Sequence, residues 1–329
     1  MRFASLLVPI FLCMLTGCLP DAILIRPVKI DKPLSESTLP GSKGGYNAAK
    51  IALIDVDGVM ISGVGGDLQG GKGDPVTLFV EKLDRAAADK KVRAVVIRIN
   101  SPGGSVAATD SMYHALQQFR QKTGKPVIAM FIEVAASGGY YLACASDGIV
   151  AQPGSVTGSI GTIMHTVNFS GTLNKIGVST VTIKSGQMKD MGSFFRKMGE
   201  KERQLFQQII DEFYAGFVDV VEAGRDELDP YEVRQLADGR VYTAKQALEH
   251  GLIDRLGYPD DAIDWAAKLA GIKNPRVIMY HRPYRRPRTV YAASGSEIEP
   301  STSLLGLELP RWLQVQGPQF LYLWSGYVQ

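Results

Sequence analysis

After a single Arg2, apolar residues run almost unbroken over positions 4–14. The run falls short of the roughly 20 residues that span a bilayer. Small residues follow it, so positions 1–17 predict a secretory leader. Positions 18–47 carry Pro, Ser, Gly and Lys without periodicity and predict a tether. From there the pattern becomes regular. Residues 51–56 form a short apolar run that predicts a strand, and a glycine-rich loop follows over 58–73. Asp74 and Pro75 then have the order of an N-cap and a first helical residue. Leu78, Leu83 and Ala86 supply that helix with an apolar side. The β-branched run 92–99 predicts a buried strand, and a tight loop at 100–105 leads into a helix ending near Thr123. A third strand at 127–132 approaches Ser137, and a helix follows over 140–145.

Strand and helix alternate, which defines an α/β architecture with crossover connections. Further on, 179–184 reads as a strand. Residues 200–223 read as a long helix with Leu205, Ile209, Phe213, Phe217 and Val220 on one stripe. Shorter helices are predicted at 230–237, 243–250 and 260–270. The folded domain is thus expected over 48–272. Positions 273–329 read as an irregular tail with an apolar, aromatic end at 320–324, expected to pack on a neighbouring copy or on lipid.

Composition narrows the function classes. Of 329 residues, 45% are hydrophobic and 21% charged, which describes a globular chain with a sizeable core. A net charge of +3 gives no nucleic-acid footprint, and the basic cluster at 282–288 reads as a solvated linker. Cys13 and Cys18 lie near the leader, and Cys144 stands alone in the globular part, so the core has no disulfide framework. His114, His165, His250 and His281 fall in no nucleophile–base motif. No metal-ligand spacing occurs, and Gly70-Gly71-Lys72-Gly73 lacks the spacing of a phosphate-binding loop. No cofactor is expected.

The chemistry concentrates in two small-residue turns. Ser101-Pro102-Gly103-Gly104-Ser105 follows a buried strand and precedes a helix, where backbone N–H groups can stabilise an oxyanion. Ser137-Gly138-Gly139 sits at a similar junction, and the N–H of Gly138 directly follows the serine. Position 135 is alanine, so this is not the Gly-x-Ser-x-Gly elbow of α/β-hydrolases. A serine hydroxyl needs a base. With no histidine nominated, a lysine is the alternative, as in the Ser-Lys variants of the triad. A lysine serves only when desolvation brings its pKa far below ~10.4. Spacing alone leaves Lys184 and Lys189 both open. Taken by itself, a Ser-Gly-Gly turn is more often structural than catalytic.

Two resemblances extend this reading. Leu15-Thr16-Gly17-Cys18 resembles the lipoprotein box of bacteria. It implies cleavage before Cys18, lipidation of the Cys18 thiol and a stable anchor of several acyl chains. Leu19 stands where an aspartate would retain a lipoprotein at the inner membrane of a two-membrane cell.

Five motifs occur in order: 101–104, 136–141, 157–161, 184–190 and 237–242. Together they resemble the signal peptide peptidase A family of bacterial serine peptidases, over residues 50–272. The resemblance implies a fold like Clp protease and crotonase, with stacked ββα units and a helical extension for oligomerisation. It implies Ser137 as nucleophile, Lys189 rather than Lys184 as general base, and Ser159 as the residue orienting the lysine. Gly138 and Gly104 are the expected oxyanion donors. Substrates would be apolar peptides such as cleaved signal peptides, processed in the cell envelope by a ring-like homo-oligomer whose neighbours complete each groove. The chain has one catalytic unit, and a lipid-modified cysteine replaces the membrane helix that many relatives carry. Two rivals remain: acyl-thioester chemistry on the same fold, and an inactive envelope scaffold that binds peptides.

Overall fold

The computed structural model describes residues 33–62, 74–282 and 319–327. The leader, Cys18, the Gly70–Gly73 loop and all of the basic cluster except Arg282 lie outside the described residues. Twelve strands occur among the described residues. They are β1 (Ser35–Thr38), β2 (Lys50–Asp57), β3 (Val92–Ser101), β4 (Gly103–Ser105), β5 (Val127–Ala136), β6 (Gly148–Ala151), β7 (Val156–Gly158), β8 (Ile163–His165), β9 (Val241–Thr243), β10 (Arg255–Leu256), β11 (Arg276–His281) and β12 (Gln319–Leu323). The helices are α1 (Pro75–Ala88), α2 (Val106–Thr123), α3 (Gly138–Ala143), α4 (Ser170–Lys175), α5 (Glu200–Gly224), α6 (Pro230–Leu236), α7 (Ala244–Glu249) and α8 (Pro259–Leu269).

The main sheet runs β1-β11-β2-β3-β5-β6-β10. Every pair along it is parallel except β1 with β11. The period of two sorts its side chains onto both faces. Ala52, Ile54, Val95, Ile97, Ala129 and Phe131 face a cluster built with helices α1 to α3 and α5. Ile51, Leu53, Ala94, Val96, Ile128 and Met130 face α8 through Ala262, Ile263 and Ala266. Burial on both faces explains why β2, β3 and β5 read as continuous apolar runs. At the start of α1, the Asp74 carboxylate accepts from the N–H groups of Val76 and Thr77, with Pro75 in the first turn. At α7, the Thr243 hydroxyl accepts from Gln246 N–H.

The expected boundaries change at both ends. The described residues from Leu34 onward cluster as one compact unit. β1 lies inside the expected tether, and β11 lies inside the expected irregular tail. The two pair with each other, and β11 adds to β2. Neither strand can bury its residues without the other, so periodicity read locally gives no signal for the pair. The strand expected at 179–184 is absent. Val181 and Ile183 are 87% and 98% exposed, and that stretch finds no strand partner among the described residues. The aromatic end at 320–324 packs on its own chain as β12, not on a neighbour or on lipid. Among the described residues, no helix is long and apolar enough to cross a membrane.

Candidate active site

β5 carries the chain to Ala136 and delivers Ser137 at the N-terminus of α3. Ser137 has φ 51° and ψ −117°, a backbone conformation that a side chain rarely adopts. Such a residue costs on the order of 1–3 kcal/mol and persists where its surroundings fix it. Here the Ser137 N–H donates to the Gly158 carbonyl at 2.7 Å, and its own carbonyl accepts from Tyr141 N–H at 2.9 Å. The side chain is buried, and its Oγ has no hydrogen-bond partner. Buried hydroxyls are rarely left so, and an unpaired Oγ on a strained turn is what a nucleophile awaiting its base looks like.

The flanking groups suit a developing negative charge. Gly138 opens α3, so its N–H has no carbonyl one turn back to receive it. Gly103 lies directly against it: a Cβ on Gly103 would come within 2.8 Å of Gly138 N and 1.9 Å of the Tyr322 carbonyl oxygen. Gly104, the other expected oxyanion donor, follows directly. Gly104 is paired with Tyr322 in β12 on one edge and bridged to Met60 on the other. A Cβ there would meet Met60 O at 1.9 Å. Ser101 braces this turn, donating to Gly58 O at 2.6 Å and accepting from Gly103 N–H at 3.1 Å.

Ser159 sits at the end of β7, which runs parallel to β5 with Ala136 opposite Gly158. The structure therefore brings Ser137 and Ser159 side by side, and both have φ 51°. The motif at 237–242 forms β9 against β7, and Arg240 O accepts from Ser159 N–H at 2.7 Å. Four of the five motifs thus converge on one corner of the sheet.

The fifth does not join them. Lys189 is exposed on a turn and makes no contact with the Ser137 Oγ, which has no partner at all. Lys184 is occupied: its Nζ donates to the Asp190 carboxylate at 2.6 Å and to Gln187 O at 3.0 Å. Asp190 also accepts from Arg196, and Arg196 continues to Glu202. Hydrogen bonds from Arg196 and Lys184 hold the Asp190 carboxyl well below its usual range. This network fixes the turn that presents Lys189 and leaves the Lys189 amine without a partner among the described residues. None of the four histidines bonds Ser137. His281 pairs with Ser37, and His114 with Gln118. His250 packs edge-on against Tyr242, and His165 is exposed on β8.

Two participants escaped sequence reasoning. Thr109, fully buried on α2, has an unpartnered Oγ1 that a Cβ on Gly138 would meet at 2.6 Å. Its only signal was a hydroxyl on an otherwise apolar helix face. β12 lies between β4 and β8, antiparallel to both. Nothing local in the sequence predicts that long-range pairing. No cluster of metal-ligating residues occurs among the described residues.

A serine on a strained strand–helix turn beside two glycine backbones suits the site of a serine peptidase on a Clp-like α/β fold. Comparison with known proteins agrees. The model for Peptidase family S49 matches residues 119–273, and that for Clp protease matches 74–153. A protein described as a protease in Synechocystis is 38% identical over 81% of this chain and 92% of its own length. A protein described as signal peptide peptidase SppA in Enterococcus faecium is 36% identical over 75% of this chain and 70% of its own. The chloroplastic serine protease SPPA of Arabidopsis thaliana is 34% identical over 78% of this chain, which covers 38% of that protein. The chain belongs to peptidase family S49 and is a serine peptidase acting on peptides.

Proposed function

We propose that this peptidase is an envelope endopeptidase, anchored through lipidated Cys18, that degrades apolar peptides such as cleaved signal peptides with a Ser137–Lys189 dyad. The observation that carries the dyad is the pairing of opposites: a buried, unpartnered Ser137 Oγ and an exposed, unpartnered Lys189 on a turn held by Asp190 and Arg196. Each has what the other lacks, and one chain does not join them. The lysine therefore comes from a neighbouring copy. The segment that carries it supports this, because Val167, Phe169, Ile176, Val178, Val181, Ile183 and Phe195 expose apolar surface there. Assembly would cover these side chains and strip water from the amine, as a lysine base requires.

In the mechanism, the neutral amine of Lys189 takes the Ser137 proton as Oγ bonds to the peptide carbonyl carbon. The carbonyl π electrons move to oxygen, which the Gly138 N–H stabilises. Collapse expels the amine product, which takes its proton from Lys189. Water then attacks the acyl-enzyme by the same route. Ser159, beside Ser137 in the strand pairing, orients the incoming amine. The SppA and chloroplast relatives support the substrate class, and the lipoprotein box supports the anchor.

An inactive scaffold would also leave Lys189 apart from Ser137, so the test must separate the two. Ser137→Ala and Lys189→Ala chains are each expected to lose hydrolysis of apolar peptides by on the order of 10³-fold or more. Co-refolded, the two inactive variants should regain a measurable fraction, because some sites then combine an intact serine with a neighbour's intact lysine. No recovery on mixing would place the base within the chain, and an inactive parent protein would favour the scaffold.

A further inference from the structure

The main sheet has a second edge, opposite the one that carries the nucleophile. β2, β3, β5, β6 and β11 run parallel, so all five begin there. Helices α1, α2 and α8 end there too, because each returns the chain to the edge where the next strand starts. The ten residues of β5 separate this edge from Ser137 by roughly 33 Å.

The starting edge is basic. Lys90 and Arg93 bracket the start of β3, Lys122 and Lys125 flank the end of α2, and Lys268 and Lys273 flank the end of α8. The acids nearby are engaged: Asp89 with Lys50, Asp147 with Arg120 and Asp264 with Lys43. Helix C-termini attract cations by themselves, and Lys125 is used in that way. Its Nζ donates to the carbonyls of Ala86, Ala87 and Asp89. The side chains of Lys90, Arg93, Lys268 and Lys273 donate to no carbonyl or carboxylate among the described residues. The edge therefore holds more positive charge than its helix ends use.

Two adjoining clefts of about 570 and 620 Å³ open between these ends and share Gly124, Lys125, Pro126 and Leu269. Lys90, Arg93 and Lys122 line the second cleft, and no acid does. Asp84, a turn back along α1, lines neither. Apolar groups stand among the cations. Tyr46 is 83% exposed beside Lys91 and Arg276, and Leu269 is 49% exposed. Cations meet anionic headgroups, while an amphipathic ring and a leucine sit well at the boundary between headgroups and acyl chains. An acidic protein would answer the charges alone; the exposed ring and leucine favour lipid.

From this arrangement we infer that the starting edge is a bilayer-docking face, with anionic phospholipid headgroups in the cleft between Lys90, Arg93 and Lys122 and with Tyr46 and Leu269 at the interface. The docking needs neither a lipidated Cys18 nor an active Ser137. It is compatible with both: fifteen residues separate Cys18 from Leu34 and reach at most about 50 Å when extended, enough to let an anchored chain lay this edge on the same surface. Docked so, the nucleophile faces away from the lipid, and the peptides that reach it are those that have left the bilayer.

The test uses the full chain carrying Cys18→Ala, which removes the proposed anchor. It reads co-sedimentation with phosphatidylcholine vesicles that contain or lack phosphatidylglycerol. The leader and the basic run at 282–288 are common to every variant, so differences between variants carry the result. Phosphatidylglycerol should strengthen binding about tenfold or more at low salt, and high salt should remove the gain. One surface cation near anionic lipid is worth roughly fivefold, so Lys90→Glu, Arg93→Glu and Lys122→Glu together should weaken binding about 100-fold or more. Lys175→Glu, Lys201→Glu and Lys245→Glu make the same change of net charge on α4, α5 and α7, and should weaken it by less than about threefold. Tyr46→Ser with Leu269→Ser should weaken binding a few-fold and keep its salt dependence. All these positions are exposed, and an unchanged thermal midpoint checks that each variant folds. No gain from phosphatidylglycerol, or equal losses from the two triple variants, would overturn the inference. So would tighter binding to polyglutamate than to anionic vesicles with no effect of Tyr46 and Leu269, which would assign the edge to an acidic protein. No turnover is read, so the outcome is separate from the fate of the Ser137–Lys189 dyad.

Discussion

Ser137 concentrates the chemistry because its backbone is held where few side chains sit. That strain makes a prediction unlike the usual loss on mutating a buried residue. Ser137→Gly removes the Cβ that disfavours φ 51° and should raise the unfolding free energy by about 1 kcal/mol while abolishing activity. Ser137→Thr, β-branched at the same φ, should lower it; paired denaturant titrations read both. The neighbouring Cys144 gives a pH test. Burial pushes its thiol up to about 12 from an ordinary value near 9. A raised value means the folded form holds its proton, so this contribution to stability is full below about pH 9 and declines as pH rises towards 12. Iodoacetamide at pH 8 should therefore leave Cys144 unmodified until the chain unfolds, and rapid labelling of native protein would show the site to be open. The serine itself was legible from its turn, since Ser-Gly-Gly after an apolar strand places a hydroxyl at a helix start. The strain was not, because φ values are tertiary facts; Ser159 entered only through the family resemblance, and its place beside Ser137 depends on strand adjacency.

At the scale of elements, the alternating runs that became β2, β3 and β5 and the capped helices α1 and α7 were readable because each satisfies its own backbone or carries its period locally. The pairs that were missed, β1 with β11 and β12 with β4 and β8, join segments hundreds of residues apart and are too short to announce themselves. The converse error at 179–184 has the same origin: Val181 and Ile183 alternate like a strand, but a strand needs a partner, and one chain supplies none. The turn at β4 makes a sharp prediction. A Cβ on Gly103 would overlap the Tyr322 carbonyl and crowd Gly138 N, at a residue with φ 107°. Gly103→Ala should cut peptide hydrolysis by at least ~100-fold, because the added Cβ displaces the Gly138 N–H, and one lost oxyanion donor costs that much. Gly124→Ala is the control, also at positive φ but with open space around it. It should lower stability while leaving the rate per folded molecule unchanged.

The whole molecule couples the long helix to the sheet at one buried point. Arg225, just past α5, pairs with Asp254 at 2.9 Å and donates to Gly251 O, while Asp254 also accepts from Ile149 N–H in β6. Arg225 is buried while Asp254 is reached by water, so Arg225→Ala removes hydrogen bonds to a partly solvated carboxylate and should cost about 1.5–3 kcal/mol, read as a fall in the denaturation midpoint. The same helix packs Phe213 and Phe217 against Phe320 and Tyr322, so loosening it should also loosen β12. In the proposed dyad, assembly would supply what the single chain lacks, a lysine at the serine. The central claim is that Ser137 is the group that becomes acylated. The most direct measurement is mass spectrometry of the assembled protein after brief reaction with an apolar p-nitrophenyl ester, followed by digestion and mapping of the adduct. The account predicts one acyl group on the peptide that contains Ser137, lost in Ser137→Ala and strongly reduced in Lys189→Ala. An adduct on another residue, or one on Ser137 that forms equally fast without Lys189, would contradict it.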